Sequence, residues 1–130
     1  MEKVFYDHKP NVFEFNSNGC VRYHWYINEE RNEPQWDENN NRIDKPNGWS
    51  CYVVEVWEPL SKDKIIQKVI TSIWDADLEN KLINDYNGAK AGLYDENTNA
   101  RYILNYNTFL LEKQDIKVMI KFDCSEFNIK

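Results

Sequence analysis

The chain predicts an α+β fold: an N-terminal antiparallel sheet of about three strands, followed by two or three helices that form a C-terminal helical hairpin. Three observations predict it. Apolar and polar residues alternate in short runs as far as Trp57, apolar residues recur at steps of three and four from Ser61 onward, and all four prolines fall at or before the turnover at Pro59. At 130 residues the chain reads as a single domain, 1–130, with a β-rich part at 1–59 and a helical part at 60–124.

The first run, Val12 to Phe15, and the second, Cys20 to Ile27, flank Asn18-Gly19, the strongest short hairpin signal. In the second run Val21, Tyr23, Trp25 and Ile27 are expected on one face, with Cys20, Arg22, His24 and Tyr26 on the other. A third run, Trp49 to Trp57, is rich in valine and aromatic residues and stops before Pro59. Between the second and third runs lies a polar stretch, 28–48, holding Asn39-Asn40-Asn41, Pro34 and Pro46, which reads as a mobile surface loop.

Beyond Pro59 the period changes. Ser61 can accept a hydrogen bond from a first-turn backbone N–H, and Ile65, Ile66, Val69, Ile70 and Ile73 follow on one helix face. Asp75 reads as a second cap, before Leu78, Leu82, Tyr86, Ala89 and Leu93 at near coiled-coil spacing. Gly88 and Gly92 weaken the end of that helix, and residues 95–99 form a turn or cap. A last helix carries Tyr102, Tyr106, Phe109, Ile116 and Ile120 on one side, interrupted by Lys113.

The totals narrow the function. A formal charge of -6 disfavours nucleic-acid binding, because affinity for a phosphate backbone comes from Lys and Arg displacing counterions. No window approaches the roughly 20 apolar residues that span a bilayer, so no membrane partner is expected. Three widely spaced cysteines, Cys20, Cys51 and Cys124, read as reduced thiols, and the opening residues lack the apolar run of a signal peptide. A cytoplasmic setting is the expectation.

Motifs for chemistry fail on spacing. Cys20 and His24 would sit roughly 13 Å apart on a strand, too far to share a zinc ion. The run from Asp37 imitates a calcium loop but has Arg42 where the sharp turn needs glycine and Gly48 where a bidentate glutamate belongs. The run from Asp75 fails the same test, and Asp75 with Glu79 is what a helix N-terminus favours on electrostatic grounds. With two histidines, four glycines and no Gly-x-Ser-x-Gly elbow, no catalytic residue, metal ligand or cofactor site is assigned. Lys113, Lys117 and Lys121 read as a solvated helix face.

Two sets of residues remain as binding candidates. Leu82, Tyr86, Tyr106 and Phe109 are expected to pack between the helices or against a protein partner, a second copy included. Tyr23, Trp25, Trp36, Trp49 and Trp57 could instead offer rings to a glycan beside the asparagine-rich loop, although a small sheet also needs large side chains for its own core.

The segments Ile73-Trp74-Asp75, Lys81-Leu82-Ile83-Asn84-Asp85-Tyr86-Asn87, Gly92, Tyr106, Phe109-Leu110 and Asp123-Cys124 resemble small uncharacterised proteins encoded in prophage-like regions of gut Bacteroidales. Tyr6-Asp7-His8-Lys9-Pro10 and Trp49-Ser50-Cys51-Tyr52 extend the likeness over most of the chain. Over a shorter stretch, Trp74-Asp75 and the helix pair are similar to the C-terminal region of phage tail-fibre assembly proteins. The likeness itself says almost nothing of function; the expectation is a non-enzymatic phage or prophage structural or assembly protein acting through protein–protein contacts, in the cytoplasm or incorporated into a phage particle. The likeness supplies no catalytic residue. The alternative is a carbohydrate- or cell-surface-binding module using an aromatic sheet face.

Overall fold

The computed structural model describes residues 1–31, 35–43 and 47–130, so parts of the polar loop containing Pro34 and Pro46 lie outside the described residues. The backbone forms two compact units, 1–59 and 60–130, dividing where the composition turns over at Pro59. The architecture is α+β, an antiparallel sheet followed by helices.

The first unit holds a four-stranded sheet of β1 (Val4–Tyr6), β2 (Phe13–Phe15), β3 (Cys20–Glu30) and β6 (Gly48–Trp57), in the order β1-β6-β3-β2 and antiparallel throughout. Gly19, at φ 86°, makes the tight turn into β3 expected of Asn18-Gly19. The edge strand β1 adds a fourth member to the expected three. Its three residues are too few to show a period, and pairing with β6 fixes them instead.

The long central strand carries a β-bulge. Trp25 pairs with Tyr52 but Asn28 with Ser50, so β3 uses one more residue than β6, and Tyr26 takes up the difference at φ 51°. The bulge reverses the alternation. Val21, Tyr23 and Trp25 share one face as expected, but Ile27 moves to the other, which corrects the simple alternation read from the sequence. On the first face the rings of Phe13, Tyr23, Trp25 and Tyr52 follow one another at centroid separations of 4.9, 5.7 and 5.8 Å.

Within the polar loop, β4 (Gln35–Trp36) and β5 (Arg42–Ile43) pair as a small hairpin, where only a mobile loop was expected. Its turn explains the calcium-like run. The Asp37 carboxylate accepts from the backbone N–H of Asn39 at 2.9 Å and of Asn41 at 2.8 Å, so the acid organises the turn.

The second unit holds α1 (Lys62–Ile73), α2 (Ala76–Lys90) and α3 (Glu96–Glu126). Each begins on a residue whose side chain accepts from the backbone N–H three positions on: Ser61 from Lys64, Asp75 from Leu78, and Asp95 from Thr98. The third cap starts the last helix well before Tyr102, where its apolar side was expected to begin. Between α2 and α3, Gly92 at φ 71° closes the turn, and the Leu93 N–H donates back to the Gly88 carbonyl. Gly88 is needed for a different reason: a Cβ there would lie 2.9 Å from the Tyr94 ring. The core is built from Ile65, Ile66, Val69 and Ile70 of α1 and from Phe109, Ile116, Ile120 and Cys124 of α3.

Candidate functional site

The structure places the first set of candidates inside the helix pair. The Tyr86 ring stacks on Tyr106 at 4.3 Å, and Phe109 is buried with its ring edge-on to Trp74 at 5.1 Å. Leu82 is half-buried beside them in sequence on α2. Of the two roles expected for these residues, packing between helices is the one they fill here. Lys113, which interrupts this side of α3, is half-buried with its ammonium 3.7 Å from a Glu79 oxygen and 5.5 Å from the Phe109 ring centre. The acid that could have been read as catalytic therefore serves as the counter-ion of that lysine.

The opposite side of α3 is where apolar surface is left over. Leu104, Leu111, Val118 and Phe122 are 64%, 69%, 57% and 62% exposed, and they recur at steps of seven, seven and four. Those steps keep all four within one narrow stripe of a helix, roughly 27 Å long at 1.5 Å per residue. Singly, an exposed leucine needs no explanation; a continuous row on one helix face does. Arg101, Asp115 and Glu126 border it on one flank, Gln114 and Lys121 on the other. These residues were missed because reading followed the buried side, Tyr102 to Ile120. The signal was present as a second periodic row, half a turn away.

The aromatic candidates do not form one platform. Tyr23 and Trp25 are fully buried, whereas Trp49 and Trp57, at odd positions of β6, point to the other face of the sheet. Trp49 is half-buried with the Lys9 ammonium 5.6 Å from its ring centre. Trp36 is exposed on the small β4–β5 hairpin. Trp57, exposed at the end of β6, keeps an accessible position on the sheet itself.

Both histidines of the chain meet at one cleft of about 380 Å³, walled by Tyr6, Asp7, His8, Asn11, Glu14 and His24 among others. His24 is buried, with Nδ1 2.8 Å from the Asn11 carbonyl and Nε2 3.0 Å from the Tyr6 hydroxyl. The carbonyl can only accept, so Nδ1 carries the proton and the Tyr6 O–H donates to Nε2. Burial pushes the His24 pKa down and the Tyr6 pKa up, which keeps both neutral around pH 7. A tyrosine that holds its proton and a histidine with both nitrogens engaged make a structural pair. Cys51 and Cys124 are free and buried, and burial raises both thiols, away from the reactive thiolate. Among the described residues no three His, Cys, Asp or Glu side chains come together as metal ligands, and no helix is long and apolar enough to cross a membrane.

No family model, curated protein or solved structure matches the chain.

Proposed function

We propose that this chain is a non-enzymatic structural or assembly protein, of the prophage-encoded kind its sequence resembles, and that it works by self-association through the outer face of α3. The observation that carries the reading is the uncovered row Leu104, Leu111, Val118 and Phe122. Its occupant is argued from its near-symmetry. Two antiparallel copies of α3 bring Leu104 near Phe122 of the second copy and Leu111 near Val118. Arg101 and Glu126, on the same flank, then meet across the two-fold axis at both ends. Parallel copies would hold Arg101 and Glu126 at opposite ends of the pair, where they cannot meet. The helical unit has ten basic and eleven acidic residues, so little net repulsion opposes the contact.

The contact is small. A stripe of this length and about 10 Å wide falls below the roughly 800 Å² per partner of a standard interface, and Glu112 and Asp115 of both copies lie close to the axis. The dissociation constant therefore belongs between about 1 μM and 1 mM.

Light scattering over a dilution series tests this. The wild type should rise from the 15.6 kDa monomer toward twice that mass as concentration increases. Leu111→Glu with Val118→Glu should hold it at the monomer. Arg101→Glu should weaken the dimer, and adding Glu126→Arg should restore it. A wild type that stays monomeric at about 1 mM, or a dimer indifferent to the double variant, overturns the reading.

A further inference from the structure

The lysines of α3 do more than solvate a helix face. Lys113, Lys117 and Lys121, at steps of four, line one wall of a cleft of about 460 Å³ within the helical unit. Each step rises about 6 Å along a helix, so the three positions span roughly 12 Å. α1 supplies the other wall through Asp63, Ile66, Gln67 and Ile70. The two helices run antiparallel: the Lys62 N–H donates to the Lys130 carbonyl at 3.0 Å, and Trp74, just past the far end of α1, meets Phe109. Asp63 therefore lies towards the Lys121 end of the cleft and Ile70 towards the Lys113 end.

Charge is unevenly balanced along it. At one end Glu79 offsets Lys113 at 3.7 Å. Neither Lys117 nor Lys121 has a carboxylate within ion-pair distance among the described residues. Lys117 is nevertheless half-buried, in a cleft whose lining includes the buried Ile66 and Ile70. A charge that keeps only part of its water and has no counter-ion attracts an anion more strongly than a fully solvated one does. In a chain of net charge -6, two unpaired lysines in one concave site form a local exception.

We infer that this cleft binds a small phosphate monoester, its phosphate held by Lys117 and Lys121 and its organic part against Ile66 and Ile70. A phosphate monoester carries a charge of about -1.5 to -2 near neutral pH, which two unpaired ammonium groups match; a carboxylate brings only one. Planar carboxylates are read best by the fork of an arginine, and the lining has none, whereas lysine serves phosphate as a point charge. The volume exceeds that of one phosphate group and falls in the range of small-molecule sites, and the Gln67 amide can donate to or accept from the rest of the ligand. Longer polyanions fit less well. Asp63 and Glu79 close the positive stretch at its two ends, so the continuing phosphates of a nucleic acid would meet carboxylates.

The test is a titration of the full chain with phenyl phosphate, followed by heteronuclear NMR at concentrations where light scattering finds the monomer. Benzoate, a carboxylate on the same ring, is the comparison ligand. Phenyl phosphate should shift the Gln67 side-chain amide signals and bind more tightly than benzoate. Lys117→Gln and Lys121→Gln should each weaken it about tenfold. Lys68→Gln, which removes an equal charge from α1 outside the cleft, should change nothing. Glu79→Gln releases Lys113 and should tighten binding about threefold. If Lys117→Gln fails to fold, Lys121→Gln at the exposed end decides. Phenyl phosphate that does not bind, benzoate that binds as tightly, an affinity unchanged by the cleft lysine variants, or an equal loss in Lys68→Gln each overturns the proposal.

Discussion

Replacing Phe109 and, separately, Leu111 by alanine tests which side of α3 carries the stability of the helical unit. The two positions are two residues apart on one helix, yet Phe109 is 4% exposed and Leu111 69%. Phe109 lies edge-on to Trp74 at 5.1 Å and 6.2 Å from the Tyr106 ring, so its truncation removes buried apolar area and leaves a cavity between helices. Such losses cost about 3–5 kcal/mol, aromatic contacts included. Leu111→Ala removes a side chain that water already surrounds and keeps a strong helix former, so stability should change by less than about 0.5 kcal/mol. The assay is urea unfolding followed by helical ellipticity, since all three helices lie in 60–130. It should be run dilute, so that association does not stabilise the wild type selectively. Equal losses for the two variants, or a loss below about 1 kcal/mol for Phe109→Ala, would refute the assignment of inner and outer faces.

Three further outcomes follow. His24 is held neutral by burial, with Arg22 acting in the same direction and the Asn11 carbonyl and Glu14 acting against it, while Tyr6 caps its other nitrogen. Its folded pKa lies below the unfolded value of about 6.5, so its contribution is complete above that pH. It is lost as pH falls towards the folded value, at no more than about 1.4 kcal/mol per pH unit, and urea midpoints of His24→Gln should show a shallower slope there. Gly48→Ala should destabilise the sheet by about 1–3 kcal/mol, read by thermal melting, because the new Cβ would sit 2.8 Å from the Tyr6 carbonyl oxygen and push β1 from the edge. Ser61→Ala removes the acceptor 3.1 Å from the Lys64 N–H and should cost the helical unit about 1 kcal/mol in urea; an unchanged midpoint would show the cap to be idle.

Local chemistry made much of the fold legible. Asn18-Gly19 specifies a turn because glycine reaches positive φ without strain, and Ser61 and Asp75 mark helix starts because each offers an oxygen to unpaired N–H groups. What escaped depends on partners distant in sequence. Val4 to Tyr6 becomes a strand only by pairing with Trp49 to Cys51, and the bulge at Tyr26 is settled by the register with β6. That bulge and the two faces of β6 also explain why the tryptophans divide. Alternation says that Trp49 and Trp57 share a face, but only pairing shows that Tyr23 and Trp25 lie opposite. On α3 the reverse happened: the outer row was fully visible as a period, but two rows on one helix cannot be ranked until the neighbours of one are known.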